Sequence, residues 1–326
     1  MDMRNWFDTR SYRHQDFEDV RPPAGQTTTL ILPTRNVADT IGPILAAVTD
    51  LRERTGLIDQ VLVVDADSPD GTADIAREYG AEVHSENALM PAYGPCLGKG
   101  DAMWRGLSVA RGDLVMFADA DTRDFSGHFI YGTLGPLLAR PGIRFTKAAY
   151  RRPFTQNSES VTDGGGRVTE LMAKPLLNLY RPELAGFVQP LAGEFAAPRR
   201  LFTSLPFLTG YGVELALLID VLGVVGLPAM AQVDLGSRQN RHQPLWDLTR
   251  MSSTVLRAMS RRLPGSELAI PSRPGGDLLE LGRETYLHAV ATETGLRLDE
   301  HLNELVERPP LDRVIAESEM AGHPAA

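Results

Sequence analysis

Two carboxylates one residue apart, Asp119 and Asp121, are the side chains of this sequence best suited to chemistry. They follow an apolar run, Leu114 to Ala118, which is entered from a Gly-Asp turn and is typical of a central parallel strand. Strand side chains alternate, so both carboxylates point to one side, with Ala120 opposite and leaving room for a ligand near the backbone. Such a pair repels unless a cation neutralises it, and oxygen ligands suit Mg²⁺ or Mn²⁺. The stretch predicts a divalent-metal site, although Asp-x-Asp is also common in solvated turns.

A lysine between two glycines, Lys99, comes just before a helix predicted from Asp101 to Ala110. The backbone N–H groups of a helix N-terminus, the helix dipole and an ammonium group together favour a bound phosphate. The spacing differs from that of a Walker A loop, which needs Gly-x4-Gly-Lys-Ser/Thr. A surface turn with a solvated lysine is the alternative interpretation.

A triple glycine, Gly164 to Gly166, precedes Arg167 and a helix predicted from Val168 to Leu179. Flexible backbone, a guanidinium group and the Thr169 hydroxyl predict a second anion site. The glycines would also suit a tight turn without a ligand. Glu214 follows another glycine-rich bend, and it could either act at the site or serve as a helix N-terminal carboxylate.

Apolar strands alternate with amphipathic helices along the first third of the chain. The predicted strands cover 28–33, 60–65, 81–84 and 114–118, and the predicted helices cover 39–54, 72–79 and 101–110. This rhythm predicts an α/β fold with a parallel, doubly wound sheet. Such sheets bind ligands at the carboxyl ends of their strands, where Asp119 and Asp121 would lie.

The rest of the chain completes the predicted organisation. Strands are predicted at 144–150 and 232–235, and amphipathic helices at 245–262 and 277–307. We expect an N-terminal arm, residues 1–26, whose aromatic side chains pack on a main domain, residues 27–243. Residues 244–326 are expected to form a helical C-terminal region.

Composition excludes several classes of function. A net charge of −9 disfavours a general nucleic-acid binder, while a local basic cluster could still bind a small anion. Cys96 is the single cysteine, so an internal disulfide is impossible, which fits a reducing cytoplasm. The N-terminus has no apolar signal core. The most apolar stretch, Leu215 to Ala231, is interrupted by Asp220 and Pro228 and is too short to span a bilayer.

The motifs taken together resemble the GT-A-fold glycosyltransferases, in which a Rossmann-like half ends in Asp-x-Asp. From about residue 4 to residue 260, the order of motifs narrows the match. They resemble the glucosyl-3-phosphoglycerate synthases of actinobacteria and the closely related mannosyl-3-phosphoglycerate synthases of the same retaining family. The motifs are Gly98-Lys-Gly, Asp119-Ala-Asp121, Tyr150-Arg-Arg-Pro153, Gly164-Gly-Gly-Arg-Val-Thr-Glu-Leu171, Gln189-Pro-Leu-Ala-Gly-Glu194, Ser204-Leu-Pro-Phe207 and Gly210-Tyr-Gly-Val-Glu214.

The resemblance implies roles for residues around a nucleotide-sugar donor. Asp119 would lie against the ribose, and Lys99 would contact the diphosphate or the sugar. The Leu191 carbonyl would face the anomeric centre, and the hexose would be hydrogen-bonded by Tyr211 and Glu214. The nucleoside pocket would be lined by Pro33, Arg35, Asp65 and Ala66, beside Ala120.

The resemblance also implies an acceptor site and a metal site. The phosphate of 3-phosphoglycerate would be held by Gly166, Arg167 and Thr169. Arg238 and the 240–242 loop would complete the acceptor and metal site. Asp121 would ligate Mg²⁺ or Mn²⁺. The family often reads His-Arg-Asn late in the chain, whereas this sequence has the order Asn-Arg-His. Either Asn240 or His242 is therefore the second ligand, and we favour His242 because imidazole is the better metal ligand.

A second departure concerns the donor base. The family often has Asn-Glu-Glu after the first strand, where an acidic side chain helps recognise uridine. The present sequence has Asn36-Val37-Ala38. We therefore expect relaxed base selectivity, with GDP- and UDP-hexoses both accepted. The alternative is that Arg35, or Asp65 or Asp67 from the second loop, supplies the selectivity instead.

The resemblance implies transfer of glucose or mannose from an NDP-hexose to the 2-hydroxyl of D-3-phosphoglycerate, in glucosylglycerate or mannosylglycerate osmolyte synthesis. We expect a cytoplasmic homodimer that binds neither nucleic acid nor membrane.

One rival function is that of a sugar-phosphate nucleotidyltransferase, which should carry a glycine-rich loop after its first strand. The loop in this sequence is Pro33-Thr-Arg-Asn36, without glycine. The other rival is a non-catalytic nucleotide-sugar-binding protein, which retention of Asp121, Lys99 and Arg167 disfavours.

Overall fold

The computed structural model describes residues 2–156, 159–161, 165–239, 244–263, 283–292 and 295–320. Its α-helices are α1 Met3–Arg10, α2 Ala38–Thr55, α3 Thr72–Glu78, α4 Lys99–Ser108, α5 Gly127–Ala139, α6 Lys174–Tyr180, α7 Arg199–Thr203, α8 Val213–Val225, α9 Leu245–Arg261 and α10 Leu311–Met320. Its strands are β1 Ser11–Arg13, β2 Thr28–Thr34, β3 Gln60–Asp65, β4 Glu82–Ser85, β5 Leu114–Phe117, β6 Phe145–Arg151, β7 Phe154–Gln156, β8 Glu159–Val161, β9 Phe195–Pro198, β10 Phe207–Leu208, β11 Met230–Ser237, β12 Arg283–Thr292, β13 Gly295–Glu304 and β14 Glu307–Arg308. Within these residues, no helix has the length and apolar character needed to cross a membrane.

Eight strands form the main sheet, in the order β1-β11-β6-β9-β5-β2-β3-β4. The block β5-β2-β3-β4 is parallel throughout, which confirms the predicted parallel sheet. β1, β11 and β6 form a second parallel block. Between the blocks lies β9, which pairs antiparallel with both β5 and β6. Since β5 is central, Asp119 and Asp121 follow the middle of the sheet.

Helices cover both faces of the sheet, so its strands are apolar on both sides. Leu30 and Leu32 of β2 belong to a core that includes Ile41 of α2 and Phe129 of α5. Ile31, between them, packs in the opposite core, with Trp104 of α4. Alternate side chains of one strand thus enter two different cores, which explains why its sequence is a continuous apolar run rather than an alternating one.

The predicted packing of N-terminal aromatic residues is confirmed for Trp6 and Phe17, which are buried, whereas Phe7 is exposed. The Trp6 Nε1–H donates to the Met230 carbonyl at 2.8 Å. The segment is also tied to the sheet, because Ser11–Arg13 pair parallel with residues 232–234 of β11. These N-terminal residues therefore extend the sheet of the main domain by one edge strand.

The C-terminal region is helical only in part. The predicted helix at 245–262 is confirmed by α9. The helix predicted from 277 to 307 is wrong, since β12 and β13 form an antiparallel hairpin with ten paired positions, Arg283↔Glu304 to Thr292↔Gly295. β-branched and aromatic residues explain the preference for strands, because they lose side-chain freedom in a helix and pack well on a pleated surface. They are Thr285, Tyr286, Val290 and Thr292.

Candidate active site

A cavity of about 500 Å³ opens at the carboxyl ends of β2 and β5. It brings together most of the residues that the sequence predicted. Its lining includes Pro33, Arg35, Ala66, Lys99, Asp119, Ala120, Asp121, Gly166, Arg167, Thr169, Leu191, Tyr211, Glu214 and Arg238. The two predicted anion sites therefore open into one space. Asp65 is absent from the lining, and Asn240 and His242 lie in the stretch 240–243, outside the described residues.

Lys99 is the positive centre of the cavity. Its ammonium group forms an ion pair with Asp119 and a second with Glu214, where Nζ to Oε1 is 2.6 Å. Burial alone would lower the pKa of Lys99, but these two carboxylates outweigh burial and hold the pKa well above its ordinary value. Glu214 lies in the first turn of α8 and lines the cavity, so its position is compatible with both predicted roles.

Arg238 donates hydrogen bonds to both aspartates. Its Nη2 donates to Asp119 Oδ2 at 2.9 Å and to Asp121 Oδ1 at 3.0 Å. Both carboxylates therefore point to the same side, as predicted. Burial opposes ionisation of Asp119, but the charges of Lys99 and Arg238 hold its pKa below its ordinary value. The Asp119 carboxylate is consequently ionised across the physiological range.

The Arg238 side chain is 2% exposed, so it forms a buried part of the cavity wall that is surrounded by protein groups. Its Nη1 donates to the Tyr150 hydroxyl at 2.8 Å and lies 3.2 Å from Glu194 Oε1. Its Nε donates to Thr122 at 3.0 Å. None of these three partners was assigned a role from the sequence, although Tyr150 begins the Tyr150–Pro153 motif and Glu194 ends the Gln189–Glu194 motif. Burial raises the pKa of Glu194 even against the charge of Arg238.

The bend that carries Leu191 is fixed at several points. The Ala192 N–H donates to the Gln189 carbonyl at 3.0 Å, and the Ala192 carbonyl accepts from Lys147 Nζ at 2.8 Å. Burial lowers the pKa of Lys147 to about 8 despite nearby carboxylates. At Gly193, a β-carbon would overlap the Asp119 carboxylate, so only glycine permits this approach. The main chain beside Leu191 is therefore held rigidly against Asp119.

The helix of Lys99 begins two residues earlier than predicted, at Lys99 itself. Its first turn is anchored by Asp101, whose buried carboxylate accepts the Leu97 N–H at 2.8 Å. Arg308 forms a bidentate ion pair with the same carboxylate, donating from Nε to Oδ1 at 2.9 Å and from Nη2 to Oδ2 at 2.6 Å. Arg105 adds a contact at 3.2 Å. A residue more than 200 positions away thus fixes the turn that presents Lys99.

The triple-glycine loop forms the other wall of the cavity. Gly166 has φ of 69°, a left-handed conformation that favours glycine, and Thr169 is buried. The Gly165 N–H donates to the Arg152 carbonyl at 2.9 Å, and Arg152 also lines the cavity. The predicted helix at 168–179 begins as a π-helical turn, Thr169–Ala173, and continues as α6. Gly164 lies outside the described residues.

Asp65 has a structural role at the end of β3. Its carboxylate accepts from the Thr34 hydroxyl at 2.8 Å, the Ser68 N–H at 2.7 Å and the Ser68 hydroxyl at 2.8 Å. The side chain is buried, in contrast to the neighbouring Ala66, which lines the cavity. The structure therefore separates Asp65 from the other residues predicted for the nucleoside pocket.

The donor set at Asp121 fits a hard divalent cation. Its side chain is 43% exposed and lines the cavity, and carboxylate oxygens are the ligands that such cations prefer. Among the described residues, no group of three or more His, Cys, Asp or Glu side chains could hold a metal ion. A second protein ligand from the 240–243 stretch, Asn240 or His242, stays a prediction.

Comparison with known proteins agrees with this geometry. Residues 29–139 match the family model described as Glycosyl transferase family 2. The glucosyl-3-phosphoglycerate synthase of Petrotoga mobilis is 39% identical over 261 residues, which are 78% of this chain and 80% of that protein. The enzyme of the same name from Mycobacterium tuberculosis is 42% identical over 259 residues, 78% of this chain and 79% of its own.

Solved structures give the same result. The crystal structure of mannosyl-3-phosphoglycerate synthase from Rubrobacter xylanophilus has a TM-score of 0.85 and 58% identity, covering 95% of this chain and 99% of that one. Glucosyl-3-phosphoglycerate synthase from M. tuberculosis, in complex with Mn²⁺, UDP and glucosyl-3-phosphoglycerate, has a TM-score of 0.75 and 37% identity, covering 89% and 92%. The present chain belongs to the family of glucosyl-3-phosphoglycerate and mannosyl-3-phosphoglycerate synthases.

Proposed function

We propose that this chain is a retaining hexosyltransferase that moves glucose or mannose from an NDP-hexose to the 2-hydroxyl of D-3-phosphoglycerate. One observation carries the proposal: Lys99 and the Gly166–Thr169 loop line the same cavity. A site for the donor diphosphate and a site for the acceptor phosphate thereby share one space. The M. tuberculosis relative has been crystallised with UDP-glucose and phosphoglyceric acid together, which supports both substrates.

The donor would lie across the carboxyl ends of the parallel strands. Pro33, Arg35 and Ala66 would surround the nucleoside, and Lys99 would meet the diphosphate. Glu214 and Tyr211 would hydrogen-bond the hexose hydroxyls. Asp121, with His242 or Asn240, would hold Mg²⁺ or Mn²⁺, and the M. tuberculosis relative contains Mn²⁺. When bound, the ion neutralises charge on the leaving diphosphate.

The arrangement of carboxylates favours front-face attack. Asp119 and Glu214 both pair with Lys99, and Glu194 is buried against Arg238 and Tyr150, so each is committed to neighbouring groups. The acceptor 2-hydroxyl would bond to the anomeric carbon as the bond to the leaving phosphate breaks. The proton of that hydroxyl would pass to the departing phosphate. The rigid bend at Leu191 would place a carbonyl dipole against the positive charge that develops on the sugar.

A turnover assay separates this function from its two rivals. The chain is incubated with Mg²⁺ and either 3-phosphoglycerate plus a panel of UDP-, GDP- and ADP-hexoses or NTP plus hexose 1-phosphate, and the products are identified by mass spectrometry. A hexosyl-phosphoglycerate plus NDP supports the proposal. Synthesis of an NDP-hexose from NTP and hexose 1-phosphate would support the nucleotidyltransferase, and donor binding without turnover would support the non-catalytic protein.

Arg167→Ala is expected to raise the KM for 3-phosphoglycerate far more than the KM for the donor. A charge-assisted phosphate contact contributes roughly 1.5–3 kcal/mol, so the expected rise is about ten- to a hundredfold. Steady-state kinetics with each substrate varied in turn measure the effect. Lys174→Ala is a matched control, because Lys174 pairs with Glu170 at 2.6 Å outside the cavity lining. Equal use of glycerate and 3-phosphoglycerate by the wild type would refute the phosphate role of this loop.

We further propose a homodimer and a cytoplasmic role in osmolyte synthesis. The β12–β13 hairpin carries four leucines that are 46–91% exposed, Leu287, Leu296, Leu298 and Leu302. Exposed apolar patches of this kind mark association surfaces. Light scattering coupled to gel filtration tests the dimer, and a monomer across the micromolar range would contradict it. Both proposed substrates are phosphorylated metabolites, which supports a reaction in the cytoplasm.

A further inference from the structure

We propose that Glu86 reads the donor base through the N–H of its six-membered ring, so that uracil and guanine are accepted and cytosine and adenine are rejected. The proposal rests on the proposed function, because it assigns the nucleoside end of the same cavity. Nothing in the sequence pattern pointed to Glu86, which is placed there by the sheet.

Glu86 is held at a fixed position beside the nucleoside end. It follows β4 directly, and its N–H donates to the Asp65 carbonyl at 2.8 Å, continuing the pairing of β3 with β4. Its own carbonyl accepts from Arg105 Nη1 at 3.2 Å. The backbone is therefore fixed on both sides. Its side chain lines the cavity together with Arg35 and Ala66.

The carboxylate of Glu86 is in an environment suited to a ligand N–H. Burial raises the pKa of this carboxylate, while a hydrogen bond with the Cys96 side chain and the charge of Arg35 lower it. A partly desolvated carboxylate next to a cavity gains more from an N–H donor than one in water does. When a base presents a lone pair instead of an N–H, such a carboxylate stays without a hydrogen bond, and the free-energy cost is larger than it would be in water.

Other acidic groups near this end of the cavity are committed elsewhere. The Asp65 carboxylate accepts three intramolecular hydrogen bonds. Asp67 accepts from Asn87 Nδ2 at 3.2 Å and is absent from the lining. The loop after β2 presents Val37 and Ala38, which have no polar side-chain atoms. Among the described residues, the remaining carboxylates of the lining are Asp119 and Glu214, which pair with Lys99, and Asp121, which accepts a hydrogen bond from Arg238.

The chemistry of the bases converts this position into a rule for selectivity. Uracil has N3–H beside its C4 carbonyl, and guanine has N1–H beside its C6 carbonyl. Cytosine N3 and adenine N1 are acceptors without a hydrogen. A carboxylate at this edge therefore binds uracil and guanine alike and leaves a lone pair against the charge with the other two. The rule accounts for the expected acceptance of both UDP- and GDP-hexoses in the absence of an acidic residue after the first strand.

The wild type is expected to show kcat/KM values for UDP-glucose and GDP-glucose within about a thousandfold of each other. CDP-glucose and ADP-glucose should be poorer than both by at least about a hundredfold, since a buried group built for a hydrogen bond rejects an analogue that lacks it. Comparable use of CDP-glucose and UDP-glucose would overturn the proposal.

Glu86→Gln is the decisive variant, because its amide keeps the size of the side chain and can donate to cytosine N3 or adenine N1. Its kcat/KM for UDP- and GDP-glucose should fall about tenfold, because the amide oxygen still accepts the ring N–H but without the charge, with CDP- and ADP-glucose unchanged or improved. Asp67→Asn is the matched control and should leave the order of bases unchanged. Equal loss for all four donors, or no change, would overturn the proposal.

Calorimetric binding of UDP, GDP, CDP and ADP to the full chain separates this proposal from the proposed function. If the Glu86→Gln variant loses its preference for UDP and GDP while no hexose is transferred, the base-reading role stands and the transferase function fails. If hexose transfer is normal and the preference survives, the base-reading role fails alone. Glu86→Asp provides a second variant: it keeps the charge one methylene further away, so weaker UDP and GDP binding without improved CDP or ADP binding is expected.

Discussion

Asp121→Ala is expected to abolish hexose transfer. Asp121 is the exposed member of the aspartate pair, and its carboxylate is oriented toward the cavity by Arg238 at 3.0 Å. Without it, the proposed metal loses a ligand and the diphosphate becomes a poor leaving group. Several kcal/mol of charge stabilisation correspond to a fall of more than about a thousandfold, since each 1.4 kcal/mol is tenfold.

Initial rates in saturating Mg²⁺ or Mn²⁺ measure the Asp121→Ala effect. Asp74→Ala is a suitable control, because Asp74 is 83% exposed and its partner Arg77 is on the surface. The two variants should unfold at similar temperatures, so that a loss of activity reports on the site. Full activity of Asp121→Ala, or wild-type activity that survives EDTA, would contradict the role of a metal at Asp121.

Arg308→Met is expected to destabilise the fold by about 3 kcal/mol and to raise the KM for the donor. Removing one partner of a buried ion pair costs about 3–5 kcal/mol, because the other charge stays buried without compensation. We expect the low end of this range, since Arg105 still contacts Asp101 at 3.2 Å. The donor effect follows from position: Asp101 lies in the first turn of the helix that begins at Lys99.

Urea unfolding and donor kinetics test the pair together. Arg313→Met is the control, because its pair with Glu317 is 72% and 54% exposed and such pairs contribute at most about 1 kcal/mol. If Arg308→Met unfolds at the same urea concentration as Arg313→Met, the buried pair does not hold the Lys99 turn.

The parallel half of the sheet could be predicted because its signals are local. The strand Gln60–Asp65 was predicted at its observed bounds, since apolar residues end there in an acidic, turn-rich loop. β9 was not predicted: Phe195–Pro198 is short, rich in alanine and follows a glycine-rich bend. Its central antiparallel place depends on pairing with β5 and β6, which are distant in the sequence.

The residues of the site also differ in whether their sequence signals are local. Lys99, Asp119 and Asp121 could be found because glycine spacing and strand alternation are visible in a few residues. Their supporting groups could not, since Glu194 and Arg308 meet their partners across 44 and 207 residues. Asp65 shows the opposite failure: the family resemblance implied that it lines the nucleoside pocket, but Thr34 and Ser68 donate hydrogen bonds to its carboxylate. Local chemistry indicates which side chains could act, and tertiary contacts decide which of them are available.

The most direct test of the proposed reaction is NMR analysis of the product formed from an α-linked NDP-hexose and D-3-phosphoglycerate. The one-bond ¹H–¹³C coupling at the anomeric carbon reports its configuration. The long-range ¹H–¹³C correlation across the glycosidic oxygen reports which glycerate carbon carries the hexose. We predict an α-linked hexose on O2 of 3-phosphoglycerate, with one NDP released per product. A β-linked product, attachment to another oxygen, or release of free hexose alone would contradict a retaining transfer to phosphoglycerate.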